Sequence, residues 1–373
     1  MMNVQEEIEN MKKIHSHILN LLDQENDQEE VFQNIIHEIQ DQKLSKDSHL
    51  FKTFLRMISK ILNNHYRYPN FFTKIEKIIL TFKTEIKQFF PNKEIYQIFD
   101  KNPKFLLFLY REKIIEIDEE TLKLISTRNF VYLFPKLAFE NKILLELPEN
   151  YYEKQQVGEN DEPISQIIRE DSIEEFITYV NKNDYPLNSY IKKSIFETND
   201  FLNKQNNTRL IEYAAFFGST QIFKYLYKNG VELTSSLWLY GIHSDNAEMI
   251  HLLEENQVKP PNESYEKCIK ESIKCHHIDI TNYILSNFIN SDIENIDQIN
   301  FEKKYKENIY SYCFHYYNFS YFPSEIEHKI IFYYACEYDY FNIVEYFLKT
   351  KQIDLKAKII IRNIFNDIFY NFL

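Results

Sequence analysis

Cys268, Cys275, His276 and His277 lie within ten residues of one another and invite a metal reading. Zinc takes thiolates and imidazoles in a tetrahedral set, commonly as two closely spaced ligand pairs. Cys268 and Cys275 are seven apart, two turns along one helical face, but His276 and His277 are consecutive and point in different directions on a helix. No second ligand pair stands at zinc spacing elsewhere. His15 and His17, two apart on a helix, do not share a face either. No metal is therefore expected.

Nucleophilic catalysis needs a serine or cysteine activated by a neighbouring base. The chain has no G-x-S-x-G, no H-E-x-x-H, no C-G-x-C-W and no D-x-D cluster in a glycine-bounded loop, so nothing marks a nucleophile. With 4 Gly in the whole chain there is no G-x-G-x-x-G or P-loop stretch to cradle a nucleotide. Acidic runs such as Asp118, Glu119 and Glu120, or Asp171, Glu174 and Glu175, fit helix N-termini, where negative charge is favoured. The reading is a protein without cofactor and without enzymatic activity. Its alternative is an enzyme or metal-dependent activity housed in the N-terminal helical region.

The elements that would position any site are short helices. Thr208–Thr234 reads as two antiparallel helices closed by glycine turns. Ala214 and Ala215 keep the first helix thin at its middle, so a second helix can come close. Gly218 ends it, because glycine tolerates the left-handed conformation found at helix C-termini. Ser219 is a candidate N-cap, and Ile222, Phe223, Leu226 and Tyr227 form an apolar stripe at helical spacing. Gly230 closes the pair. So small a unit cannot bury its own apolar face and needs neighbours. The same pattern recurs with Asp171, Asp245, His276 and Asp339 in the slot of Gly218. The last interval is close to two units, which places a degenerate unit between His276 and Asp339.

This unit resembles an ankyrin repeat, whose two-glycine spacing is matched by Gly218 and Gly230 and whose paired alanines are matched by Ala214 and Ala215. It departs from the family at Arg209, Leu210, Ile211 and Glu212, where ankyrin repeats carry Thr-Pro-Leu-His. The phrases LIEYAAFFGS, SLWLYGIHSDNAEMIHLLEEN and SYEKCIKESIKCHH are similar to a large family of ankyrin-type proteins of parasitic protists defined by a domain of unknown function. The resemblance implies an all-α fold, an N-terminal helical region followed by an ankyrin-like α-solenoid with degenerate repeats, and no activity. It also implies a concave face for a protein or peptide partner, formed here by Arg169, Phe216, His243, Lys274 and Glu337, with Phe217 and Tyr338 adjacent. A scaffold engaged in protein–protein interaction is the function expected of such a stack, with self-association through its ends a further reading.

Taken in order, helices are expected near 1–24, 28–42, 47–64, 70–89, 92–100 and 103–114, with Pro69, Pro91 and Pro103 near first turns. The segment 106–118 matches 222–234 in character. Residues 1–148 form the N-terminal region, and the polar, proline-bearing stretch 149–163 reads as a linker. Repeats follow over 164–373. Trp238 and the aromatic segment 301–322 read as core, and the amphipathic stretch 358–373 as a capping helix. The net charge of −13 and pI near 5.4 argue against a nucleic-acid partner. No secretion signal and no window of about 18 apolar residues is present. The four cysteines are too few for a disulfide scaffold. An intracellular, cytoplasmic protein with reduced thiols and no membrane span is expected.

Overall fold

The computed structural model describes residues 4–22, 29–65, 68–289, 298–322 and 328–350. Among these the chain is all-α, with an isolated β-bridge between Tyr190 and Arg209. The helices run α1 (Val4–Asn20), α2 (Glu29–Asp41), α3 (Ser48–Asn64), α4 (Pro69–Thr81), α5 (Lys83–Phe89), α6 (Asn92–Phe99) and α7 (Pro103–Arg111). Next come α8 (Glu119–Leu124), α9 (Thr127–Leu133), α10 (Pro135–Glu140), α11 (Tyr151–Val157), α12 (Pro163–Arg169), α13 (Ile173–Lys182) and α14 (Asp200–Lys204). The remainder are α15 (Leu210–Phe217), α16 (Thr220–Lys228), α17 (Leu237–His243), α18 (Ala247–Glu255), α19 (Glu266–Cys275), α20 (Ile278–Ile284), α21 (Gln298–Tyr316), α22 (His328–Glu337) and α23 (Phe341–Thr350). Pro69 and Pro103 are first residues of their helices and Pro91 is a cap, positions where the missing N–H costs nothing. No described helix is long and apolar enough to cross a membrane.

The chain divides into two compact units, one of Met1–Lys60, Asn70–Glu85 and Asn295–Leu373, the other of Ile61–Pro69 and Ile86–Glu294. In the second unit α12, α15, α17 and α19 touch one another in sequence order. Each packs against its own following helix, α13, α16, α18 or α20. The result is a row of four helix hairpins. In the first unit α21 packs on α22 and α22 on α23, while α1 packs on α2 and on the short turn Phe319–Tyr321.

One local rule repeats through both units. Every first helix of a hairpin ends in a left-handed residue: Asp171 (φ 49°), Gly218 (66°), Asp245 (49°), His276 (60°) and Asp339 (62°). Tyr317 (55°), after α21, fills the interval between the last two. At five of these six slots the following N–H bonds back five residues: Ser172 to Ile167, Ser219 to Ala214, His277 to Ser272, Asn318 to Cys313 and Tyr340 to Ala335; after Asp245, Asn246 N bonds to Ser244 Oγ at 3.2 Å. This satisfies carbonyls that a helix end would otherwise leave bare. Second helices end likewise, with Ile114 bonding to Leu109 and Val231 to Leu226, so 106–118 and 222–234 share one terminus geometry.

The same register places small residues where helices cross. Four positions before five of the six slots stand Ala214, Gly241, Ser272, Cys313 and Ala335, all buried, whereas Asp171 is preceded there by the half-buried Ile167. A Cβ on Gly241 would sit 3.1 Å from Leu253 Cδ1, tighter than ordinary contact. Neighbouring hairpins are tied by the residue after the slot. The Ser219 hydroxyl donates to the Ile168 carbonyl, His277 Nδ1 to Ile242 O (2.8 Å) and the Tyr340 hydroxyl to Phe314 O (3.0 Å). Each acceptor lies three residues before the preceding slot. Ser219 thus serves as a tie rather than as a side-chain cap. The capping oxygens for α16 come from Asp171, whose carboxylate accepts from Gln221 N and Ile222 N at 3.0 Å each.

Trp238 is fully buried, its Nε1 donating to Val258 O at 2.7 Å. Cys313, Phe314, Tyr317, Phe319 and Phe322 are interior, as the aromatic segment suggests. In the stretch 149–163, where the sequence suggests a linker, the chain forms α11. Tyr151 is buried there, and its hydroxyl donates to Val131 O at 2.8 Å. Tyr151 and Gln155 disguise this anchor within a polar stretch, because each hides its polar tip in a backbone hydrogen bond, Gln155 Nε2 donating to Tyr132 O. The expected capping helix at 358–373 lies outside the described residues.

Candidate functional site

The residues two positions before the slots are Arg169, Phe216, His243 and Lys274 in the second unit and Glu337 in the first. In the second unit they do form a line. Phe216 stacks on His243 with ring centroids 5.2 Å apart, and His243 Nε2 and Lys274 Nζ both reach Glu271 Oε1, at 2.7 and 2.5 Å. They do not, however, form an open face. Phe216, Phe217 and His243 are buried, and the expectation of a partner-contacting surface at these three is corrected. The cover is Phe201 of α14, whose ring lies 5.7 Å from Phe216, 4.1 Å from His243 and 5.5 Å from Lys274 Nζ. Sequence periodicity gave no sign of it, because α14 is a five-residue helix inside the long connection between α13 and α15. Glu337 is exposed, and the half-buried Tyr338 has its hydroxyl 3.3 Å from Ser311 Oγ.

Arg169 marks the end of the line that stays open, with the buried Phe217 ring beneath its guanidinium. Together with Lys154, Glu159, Asp161 and Glu170 they line a cavity of about 510 Å³. Arg169 is held on three sides: Nε by Glu159 (2.9 Å), Nη1 by Asn160 O (2.9 Å) and by the Tyr213 hydroxyl (2.8 Å). Burial alone would lower its pKa, but Tyr213 and Glu159 beside it hold the guanidinium above its ordinary value. Next to it Glu197 is 5% exposed, and burial pushes its carboxyl up to about 7. Its Oε1 accepts from Asn199 N at 2.8 Å.

The most catalytic-looking geometry lies under Phe201. Cys275 Sγ is 3.5 Å from His243 Nδ1, and His243 Nε2 is 2.7 Å from Glu271, the order of nucleophile, base and orienting carboxylate. Burial pushes His243 down to about 4 despite Glu271, so the imidazole is neutral and donates from Nε2. Burial would raise Glu271, but the hydrogen bond from His243, and the hydrogen bond and charge of Lys274, bring it down to about 2. Burial raises the Cys275 thiol well above its usual value, and the residue has no exposed surface. A protonated, enclosed thiol is a poor nucleophile. The trio works as a buried polar link between α17 and α19.

A third surface feature escaped sequence reading. Between α8 and the segment after α10, Leu122, Leu124, Leu137, Phe139, Ile143, Leu145 and Leu147 are all exposed, Leu145 to 90%. Scattered exposed leucines are ordinary, whereas seven large apolar side chains in so short a stretch are not.

Fold and site thus define an all-α protein whose second unit carries a row of tied helix hairpins. Searches against family models, curated proteins and solved structures gave no match to this chain.

Proposed function

We propose that the chain is a non-enzymatic protein-interaction module in which the hairpins form an ankyrin-like stack. The repeating left-handed slots, the small-residue column and the side-chain ties support the stack. The observation that carries the function is the exposed apolar stretch from Leu122 to Leu147 in the second unit. Leaving that much hydrocarbon in water forgoes roughly 25 cal/mol per Å² of burial, which a protein partner would recover. The open cavity at Arg169 is the accessible remainder of the face read from the sequence. Its mixed charges suit a polar segment of the same partner.

The test uses two surface variants that leave the core alone. Leu137→Glu with Leu145→Glu alters the apolar stretch, and Gln166→Arg with Glu170→Arg alters the cavity rim. Proteins recovered from cell extract by the full chain are compared with those recovered by each variant. Loss of the same recovered protein in the leucine variant supports the module. Equal recovery by wild type and both variants removes it.

A further inference from the structure

Two clusters in the second unit bring three metal-competent side chains together: His243, Glu271 and Cys275, and, separately, His65, Asp245 and His277. The first is closed on itself by the hydrogen bonds already described. The second is different. One donor atom from each of its residues lies within 4.8 Å of the other two, yet His277 Nδ1 and Asp245 Oδ1, at 3.7 Å, are too far apart for a hydrogen bond. We infer that His65, Asp245 and His277 form a binding site for a divalent transition-metal ion, zinc by preference.

The argument begins with the tautomer of His277. Its Nδ1 lies 2.8 Å from the Ile242 carbonyl oxygen, which can only accept, so Nδ1 carries the proton and Nε2 is the basic nitrogen. A backbone carbonyl holding the far nitrogen is the usual outer partner of a metal-bound histidine, fixing both tautomer and ring orientation. The His65 ring meets the His277 ring edge-on, with centroids 4.9 Å apart and planes at 72°. Both histidines are almost wholly buried, at 2% and 3% exposure.

Asp245 supplies the charge and the way in. Its side chain is 32% exposed, the Tyr68 hydroxyl donates to Oδ2 at 3.3 Å, and Oδ1 lies 3.7 Å from His277 Nδ1, the protonated nitrogen, so that the carboxylate must swing toward Nε2 to share an ion with it. At the equivalent slots the carboxylate has another task. Asp171 caps α16, and Asp339 pairs with Lys52 and Arg56. Two neutral imidazoles and one carboxylate suit zinc, whereas magnesium and calcium favour oxygen ligands. Zinc bonds of about 2.0–2.1 Å hold ligand atoms roughly 3.3–3.5 Å apart, so closure asks for a side-chain adjustment by the half-exposed aspartate. Three protein ligands leave a fourth position for water or an incoming group.

The full chain, treated with chelator and dialysed, is titrated with zinc by calorimetry and with cobalt(II) by visible absorption. Wild type should take up one equivalent and give the absorption of a low-coordinate cobalt site. Asp245→Asn keeps a residue type tolerant of the left-handed slot while removing the charge, and should weaken zinc binding at least about tenfold. His277→Gln should abolish the cobalt signal; because His277 also ties two hairpins, the Asp245→Asn result stands alone if that variant does not fold. Asp171→Asn, at the matching slot, should bind as wild type. Absence of a stoichiometric site in wild type, or equal affinities for wild type and Asp245→Asn, overturns the assignment.

Discussion

The hairpin that turns at Gly218 and the one that turns at Asp339 belong to different compact units and share no residue at the slot, yet they obey the same backbone rule. In both, the next N–H bonds to a buried alanine carbonyl, Ala214 or Ala335, and the next side chain reaches a carbonyl of the preceding element, Ile168 or Phe314. They differ in how the left-handed turn is held. Glycine adopts it at no steric cost. Asp339 is strained, and its carboxylate is met by Lys52 (3.1 Å) and Arg56 (2.8 Å). What repeats is a set of positions and bonds, with residue identity free to vary wherever a neighbouring group can offset the strain.

If the units are built alike, acid should weaken both through a buried histidine, and this is the largest effect expected. Burial pushes His243 of the second unit down to about 4 and His15 of the first down to about 3, from an ordinary 6.5. Below 6.5 the unfolded chain takes up a proton that the folded chain refuses. Stability is therefore complete above that pH and is lost as pH falls through about 4 in the second unit and about 3 in the first. The loss is about 1.4 kcal/mol per pH unit for each histidine, or about 3 kcal/mol near pH 4.5. Urea unfolding at several pH values, followed by fluorescence of Trp238, reports the second unit alone, while circular dichroism reports both. A Trp238 midpoint that does not move between pH 7 and 4.5 would break the comparison on that side.

Crowding the helix crossing comes next. Ala214→Leu in the second unit and Ala335→Leu in the first should each cost about 1–3 kcal/mol by overpacking. The neighbouring Ala215→Leu belongs to the same range. Equal costs by denaturant titration sharpen the parallel, and a neutral result at either site means that the crossing lies elsewhere.

Much of this was legible because local rules write themselves into short windows. Helices α1 to α7 follow from apolar periodicity and the prolines except for the break at Phe82, which splits the single helix expected over 70–89 into α4 and α5; all five slots were found from the apolar stripe after them, though only one holds glycine. The interval around Tyr317 could be located only by subtraction, because a bulky aromatic in a left-handed turn carries no signature. The site was less legible. The ankyrin resemblance implies one face for Phe216, His243 and Lys274, but it is blind to α14, whose Phe201 arrives from a connection with no period of its own. The cluster of His65, Asp245 and His277 is invisible for a related reason: sequence spacing gathers Cys268, Cys275, His276 and His277, whereas the fold places Cys275 with His243 and Glu271, and His277 with Asp245 and the far-upstream His65. The exposed stretch from Leu122 to Leu147 looks apolar enough in sequence to be core.

The backbone requirement and the ties rank below crowding. Gly218→Ala places a Cβ in the left-handed conformation and should cost about 1–2 kcal/mol. Ser219→Ala and Tyr340→Phe remove a donor but leave Ile168 O and Phe314 O with their backbone partners, Asp171 N and Tyr317 N. No acceptor is stranded, so each should cost about 0.5–1.5 kcal/mol. A larger loss for Tyr340→Phe alone would show that the first unit depends on its tie more than the second does.

The smallest change expected is a gain. Gly230, closing α16, has φ 84° and would meet nothing within 4 Å if it carried a Cβ, so its backbone conformation is the only demand for glycine there. Gln257 closes α18 in the same conformation (φ 52°), with Val258 N bonded to Leu253 O just as Val231 N is bonded to Leu226 O. Lys43, after α2 in the first unit, has φ 54° and is likewise exposed. Neither residue has the short side chain that eases a left-handed turn. Relief of roughly 1–2 kcal/mol of strain, less about 0.5–1 kcal/mol for the freer unfolded chain, leaves Gln257→Gly and Lys43→Gly each more stable by about 0.5–1 kcal/mol. Denaturant midpoints that rise with unchanged slopes would show that strain is stored at these turns in both units. A fall in either midpoint would mean that the side chain contributes more than its backbone costs, and that the turn of that unit is held by contacts rather than by conformation.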